Sequence, residues 1–178
     1  DASKAAASIG LGYGVTERWF TEVYLKYNRV TGTTEFDAIE WENKFQLTET
    51  GKYPVDLGLL FEIERPQARE EGYEVKFGPL LQTEFGKTQL NANLLFMRNY
   101  RADFSNRMQA NYQLQAKYRL KQEFQVGLQA FGELGEFDSW SPRRDQSHRA
   151  GPAIFGKLPL GNRTAIKYNA AYLIGSTE

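Results

Sequence analysis

The chain has 178 residues, enough for one domain with a sizeable core but cramped for two. Its 22 basic and 22 acidic residues balance, which argues against nucleic-acid binding, and the absence of cysteine excludes a disulfide framework, a thiol nucleophile and a cysteine-based metal site. No run approaches the roughly 18 consecutive apolar residues that a membrane-spanning helix needs. This criterion does not detect transmembrane strands, because their apolar and polar residues alternate and the mean hydropathy of the segment stays low.

Apolar and polar residues alternate along most of the chain. In "MQANYQLQAKYRL", residues 108–120, every second residue is apolar and every other one is polar. Successive side chains of a strand point to opposite faces, so this period of two predicts a strand with one apolar and one polar face. We find no convincing amphipathic helix between such segments. The pattern predicts ten strands: 7–16, 19–30, 37–48, 55–65, 73–86, 88–101, 107–120, 123–135, 148–159 and 163–175.

The connections between these segments alternate in length. Short turns alternate with longer polar stretches. The short turns are Glu17-Arg18, "TETGKYP", "FGKT", "LKQE" and "PLGNR", and the longer stretches are "RVTGTTEF", "RPQAREEG", "YRADFSNR" and "EFDSWSPRRDQS". This is typical of an up-and-down antiparallel meander. Ten such strands with no helix to cover a face are expected to close into a barrel, because closure removes exposed strand edges.

Two barrel types fit the alternation: a soluble barrel with its apolar face inside, and an outer-membrane barrel with its apolar face toward lipid. The apolar face carries on the order of 50 bulky groups, more than a ten-stranded interior holds. The strand lengths suit a bilayer crossing, and aromatic residues crowd the strand ends as in interfacial girdles. We therefore predict a transmembrane β-barrel, with a lipocalin-like soluble barrel as the alternative. Tyr112, Leu114 and Tyr118 would then face lipid.

Three stretches carry a resemblance to known proteins: "GLGYGVTERWFTEVYLKY", "EWENKFQLTETGKYPVDLG" and "GYEVKFGPLLQTEFG". With them the chain resembles bacterial outer-membrane β-barrel proteins, and in particular a proteobacterial group of unassigned function. The resemblance implies an outer-membrane location and a secretory leader. Outer-membrane barrels place short turns on the periplasmic side, which would put both ends of this chain outside. We therefore expect residues 1–178 to form a single domain that lacks one strand at each end of a twelve-stranded parent.

The polar face predicts a charged lumen. Acidic residues dominate its strands two to five, and basic residues dominate strands six to ten. An acidic wall facing a basic one would order dipolar solutes in a constriction. The candidate lumen-lining residues are Glu22, Lys26, Glu40, Glu42, Lys44, Glu62, Glu64, Glu74, Lys76, Glu84, Gln113, Gln115, Lys117, Arg119 and Lys167.

Three functions remain open. The first is a passive pore for small polar solutes, and the second is a barrel sealed by charge pairs across its lumen that serves as a scaffold for a membrane-protein partner. The third is a lipid-modifying enzyme, but Ser147 and the sole histidine, His148, are adjacent and would point to opposite faces of a strand. We predict no enzymatic activity, no cofactor and no metal. The expected partners are the bilayer and lipopolysaccharide, with a second copy of the chain as a further candidate.

The glycines of "GLGYG", residues 10–14, have a structural explanation. No helix follows them, so they do not form a phosphate-binding loop. We expect them to make room on the polar face for a bulky neighbour such as Phe20 or Tyr24.

Overall fold

A computed structural model describes residues 5–30, 32–104, 106–161 and 164–176. Parts of three predicted connections and the extreme chain ends therefore lie outside the described residues: Thr31, Ser105, Asn162 and Arg163 belong to those connections. Within the described ranges, every helix falls short of the length and hydrophobicity that crossing a bilayer requires.

The predicted fold class is confirmed: the chain is all-β, and its strands follow the antiparallel up-and-down order of a β-barrel protein. Ten strands succeed one another in the sheet in chain order, apart from a two-residue strand, β9, that pairs with β8 alone, and a final short strand, β12, that pairs with β10. The strands are β1 Ala5–Gly14, β2 Trp19–Val30, β3 Thr33–Gln46, β4 Asp56–Pro66, β5 Tyr73–Phe85, β6 Thr88–Tyr100, β7 Gln109–Arg119, β8 Gln125–Glu136, β9 Ser139–Trp140, β10 Ser147–Pro159, β11 Ala165–Ala171 and β12 Ile174–Ser176.

The last predicted strand, 163–175, is divided into β11 and β12. Both pieces pair with β10 in a single register, Ala171 opposite Ala153 and Ile174 opposite Ala150. Pro152 of β10 faces the interruption and has no N–H to donate, although its carbonyl accepts the Tyr172 N–H at 3.0 Å. The interruption is therefore local, and the two pieces continue one strand.

One predicted long connection is short. "RVTGTTEF" reads as a polar loop, but β2 runs to Val30 and β3 begins at Thr33. Gly32 has φ +91°, a conformation that suits glycine in a tight turn, and the β-branched Thr33 and Thr34 that follow favour extended backbone. The regular alternation of short and long connections therefore does not hold at this position.

Two compact units make up the chain. Unit 1 comprises Asp1–Leu47, Gly58–Pro79 and Phe96–Met108; unit 2 comprises Thr48–Leu57, Leu80–Leu95 and Gln109–Glu178. Unit 1 thus holds β1 to β3, most of β4 and parts of β5 and β6, together with the short 3₁₀ helix Arg69–Glu71. Unit 2 holds the rest of β4, β5 and β6, all of β7 to β12, and the 3₁₀ helix Arg143–Asp145.

The alternation of the sequence appears as alternating exposure. In β3 of unit 1, Ala38 and Glu40 are 1% and 5% exposed, whereas Ile39 and Trp41 are 43% and 46% exposed. In unit 2, Leu114 and Tyr118 of β7 are exposed, and the polar residues between them are half-buried. The apolar face of these strands is the outer one.

The glycine prediction is confirmed in unit 1. Gly10 lies directly opposite Tyr24, and a β-carbon at Gly10 would collide with the Tyr24 ring. A β-carbon at Gly12 would likewise meet the ring of Phe20 and, at 3.2 Å, the carboxyl carbon of Glu22. The bare backbone of β1 is what these rings cover.

Candidate functional site

The polar face of unit 1 is built by strand register. Glu22 of β2 lies opposite Glu42 of β3, which lies opposite Glu62 of β4. One pair further along, Glu40 lies between Tyr24 of β2 and Glu64 of β4. Residues directly opposite each other in antiparallel strands share a face, with β-carbons about 5 Å apart. The register therefore crowds carboxylates together that the sequence separates by about 20 residues.

Lysines join these carboxylates into a network. Lys26 forms ion pairs with both Glu40 and Glu64, one on each of the two strands that follow its own. Lys76 contacts Glu62 at 2.7 Å and Glu74 at 3.1 Å. These bonds run along the wall formed by β2 to β5, either within one strand or between strands at most two apart. They differ from the pairs across a lumen that the sealed-barrel interpretation assumes.

A third lysine, Lys44, contacts Glu42 at 2.5 Å and is itself 43% exposed. The acidic side chains of this network outnumber its lysines by two to one, so its charge is negative. We call these nine residues the carboxylate network: Glu22, Lys26, Glu40, Glu42, Lys44, Glu62, Glu64, Glu74 and Lys76.

The centre of the network is buried. Glu40 and Glu62 are only 5% and 4% exposed. A buried charge is tolerated when it is paired and hydrogen-bonded, and each of these two carboxylates has a lysine partner. Removing one lysine would leave at least one carboxylate without compensation.

Among the described residues, one cluster of three carboxylates has the geometry to hold a metal ion. The carboxylates of Glu40, Glu62 and Glu64 each offer an oxygen atom, and these atoms lie within 4.8 Å of one another. Hard cations prefer such oxygen ligands. Each of the three already contacts the ammonium group of Lys26 or Lys76, so the lysines supply the cationic charge at this position.

The polar face of unit 2 has a different chemistry, in which amides bond to amides. Asn91 donates to Gln115 at 3.2 Å, and Asn93 donates to Gln113 at 3.4 Å. Gln89 donates to Asn91 at 3.0 Å, which extends the chain of contacts along β6. We call the set Gln89, Asn91, Asn93, Gln113 and Gln115 the amide ladder.

The charged candidates of unit 2 are more exposed. Arg119 contacts Glu84 at 3.1 Å, and both side chains are about 40% exposed. The ammonium of Lys117 lies 4.7 Å from the centre of the Phe155 ring, a cation–π distance. Lys167 lies directly opposite Lys157 on the same face of β10 and β11. The predicted basic character is thus dispersed along this face.

Ser147 and His148 lie opposite successive residues of β8, Glu133 and Gly132, and so point to opposite faces. The predicted strand 148–159 begins one residue earlier in the structure, so His148 is the second residue of β10, and its Nδ1 lies 2.9 Å from the Tyr112 hydroxyl. Its Nε2 lies 3.0 Å from the Gln146 side-chain oxygen. The Tyr112 ring packs over Gly132 to reach it.

Asn43 is a residue that sequence reasoning missed. It interrupts the apolar side of β3, between Trp41 and Phe45, yet it is only 2% exposed. The Trp19 indole N–H donates to its side-chain oxygen at 3.0 Å, and Trp19 stacks on Phe45. The signal in the sequence was a single polar residue between two aromatic ones. Such a residue can accept the hydrogen bond that the N–H of a partly buried indole needs.

No protein-family model and no curated protein matches this sequence. The resemblance to a proteobacterial outer-membrane group therefore stays a prediction.

Proposed function

We propose that this chain is an outer-membrane β-barrel that lets small polar solutes pass passively through its polar interior. The observation that supports the proposal is that the apolar side chains of its strands are exposed and the polar ones are buried. In β3 and β4 large apolar side chains face outward, while Glu40 and Glu62 face inward. A soluble barrel has the opposite arrangement.

The exposed apolar surface calls for an apolar environment. Monomeric soluble proteins rarely expose contiguous apolar patches beyond a few hundred Å². Here the outward residues of adjacent strands form such a surface in each unit, and a bilayer would cover it. They include Val23, Leu25, Ile39, Trp41, Leu59 and Phe61 in unit 1, and Leu90, Leu94, Leu114, Tyr118, Leu128, Ile154, Leu158 and Ile166 in unit 2.

Aromatic and basic residues fit the same environment. Trp19 and Phe45 stack at neighbouring strand ends, where an interfacial belt would lie. Arg144, 84% exposed by its side chain, follows Arg143 in a polar connection and would reach lipopolysaccharide phosphates. The bilayer and lipopolysaccharide are the partners we propose.

Solute passage is supported by the direction of the ion pairs. In the carboxylate network the lysines bond to carboxylates of the same wall, no more than two strands away, so the charges are satisfied without bridging a lumen. The surplus of carboxylates would raise the local concentration of cations. A weakly cation-selective passage follows from this arrangement.

Planar-bilayer recording tests the proposal. Purified protein should conduct in discrete steps, with a reversal potential under a salt gradient that shows cation preference. The double variant Glu40→Gln/Glu42→Gln should weaken that preference, whereas Glu49→Gln, in an exposed turn where Glu49 contacts Lys52, should leave it unchanged. Bilayers that stay silent with folded protein would contradict the pore.

A sealed barrel that acts as a scaffold is the second candidate, and the burial of Glu40 and Glu62 favours it. Cysteine labelling distinguishes a water-filled lumen from a sealed one. The experiment is straightforward because the chain has no native cysteine to remove. In a water-filled lumen, Gln113→Cys should react with a small membrane-impermeant reagent, and Leu114→Cys should be shielded by lipid. If neither position reacts in the bilayer, the interior is sealed.

The lipid-modifying enzyme remains the third and weakest candidate. The opposite directions of Ser147 and His148 deny it a direct serine–histidine pair.

A further inference from the structure

A polar cavity lies in unit 2, where β8 ends and β10 begins. Its volume is about 300 Å³, at the small end of ligand-binding pockets, and its lining includes Glu133, Ser141, Arg144, Asp145, Gln146 and Ser147. The β8–β9 hairpin and the 3₁₀ helix Arg143–Asp145 bring these residues together.

The walls of the cavity are fixed by bonds that do not involve a ligand. Gly135 has φ +95°, and a β-carbon there would collide with the Ser141 hydroxyl, so glycine lets Ser141 approach the end of β8. The Gln146 side chain donates to the Ser141 carbonyl at 2.8 Å and contacts His148 through its oxygen. The site is therefore held in place before anything binds.

One lining atom has unmet hydrogen-bonding capacity. The Ser147 hydroxyl oxygen is buried and has no hydrogen-bond partner among the described residues. A buried polar group without a partner is unfavourable, and structures rarely keep one without a reason. A ligand with a hydroxyl group would supply the missing partner.

The charges of the lining cancel. Glu133 contacts Arg149 at 3.2 Å, and Asp145 contacts Arg144 at 3.5 Å. Neither an anion nor a cation therefore finds an uncompensated opposite charge. What remains is a mixture of donors and acceptors around a small space, which suits groups that both donate and accept.

We infer that this cavity binds a neutral, hydroxyl-rich solute of one or two rings, that is, a mono- or disaccharide. Its hydroxyl groups would bond to the Ser147 hydroxyl and to the outer lone pairs of Glu133 and Asp145. The inference does not rest on the pore, because a sugar could occupy this cavity in a conducting or a sealed barrel.

Fluorescence titration with glucose and with maltose tests it, in a detergent that contains no sugar. Trp140 is 60% exposed and precedes Ser141, so its emission should report binding, and Trp140→Phe should abolish the signal. At least one sugar should give a saturable change. Ser147→Ala should weaken that affinity about five- to tenfold, the worth of one hydrogen bond, while Ser139→Ala, outside the lining, should not.

Denaturant unfolding of the sugar-free protein is the second measurement. Because the Ser147 hydroxyl lacks a partner, Ser147→Ala should be at least as stable as the parent chain. Asp145→Asn, which keeps the shape, should also weaken sugar binding and serves if Ser147→Ala does not fold. The inference fails if neither sugar gives a saturable signal, if both variants bind equally well, or if sugar-free Ser147→Ala is destabilised, since the hydroxyl would then already have a partner.

Discussion

The polar faces of the two units satisfy their polar side chains with different chemistry. Unit 1 places full charges on its polar face and joins them through Lys26 and Lys76, and unit 2 uses the amide ladder. A buried charge that loses its partner costs several kcal/mol, whereas an amide that loses one neighbour still bonds to another or to water. We therefore expect unit 1 to be sensitive to single changes and unit 2 to tolerate them.

The largest effect should come from Lys76→Met in unit 1. It leaves Glu62, 4% exposed, and Glu74 without their ammonium partner and should lower the free energy of unfolding by about 3–5 kcal/mol. Denaturant unfolding of protein folded in lipid vesicles measures the loss. Lys52→Met, which removes the exposed Lys52–Glu49 pair of unit 2, is the matched control and should cost less than about 1 kcal/mol. Equal losses in the two variants would remove the distinction between the units.

Packing in unit 1 should give the next largest effect. Gly10→Val would drive a side chain into the Tyr24 ring and should destabilise the protein by about 1–3 kcal/mol. At Gly14 the nearest atom to an added β-carbon is the Thr16 carbonyl oxygen, 3.9 Å away, so Gly14→Val should be neutral or stabilising because valine favours strands. The difference between their unfolding midpoints measures the steric contribution, and identical midpoints would show that the ring moves aside freely.

The amide ladder should respond more weakly. Asn91→Ala and Gln115→Ala should each cost about 1 kcal/mol, and a double-mutant cycle should give a coupling of about 0.5–1.5 kcal/mol for their 3.2 Å bond. The cycle uses the same denaturant unfolding. A coupling above about 3 kcal/mol would make unit 2 as demanding as unit 1.

The smallest effect should come from the exposed pair of unit 2. Arg119→Met removes a 3.1 Å contact with Glu84 between side chains that are about 40% exposed, and should change stability by about 0–1 kcal/mol. Raising the salt concentration should shrink this small difference further, since salt screens exposed pairs. A salt-insensitive loss would indicate that the pair is shielded from solvent in the folded protein.

The strands could be predicted because alternation is a local property. Trp19–Val30 was predicted to the residue, and the other strand ends lie within four residues of their predicted positions. The partners of Lys26 could not be predicted, because they depend on the register of β2 with β3 and of β3 with β4 together. Register is set by pairing between distant segments, and a one-residue slip would send every side chain to the other face.

The candidate site was predicted in composition but not in connectivity. The acidic character of strands two to five is visible in the sequence, but the sequence does not show that ion pairs run along the wall. The contact between Tyr112 and His148 was also missed, because it joins β7 to β10 across Gly132. A strand between the partners hides such a contact from local patterns.

At three places a tyrosine covers a glycine of the neighbouring strand, and this pairing has an evolutionary consequence. Tyr24 covers Gly10, Tyr112 covers Gly132, and Tyr168 covers Gly156, in each case from the directly opposite position of the neighbouring strand. Neither partner can change alone without a clash or an uncovered backbone. Descendants of this sequence should therefore exchange the two positions together, and their covariation would reveal the strand register to anyone who had only an alignment.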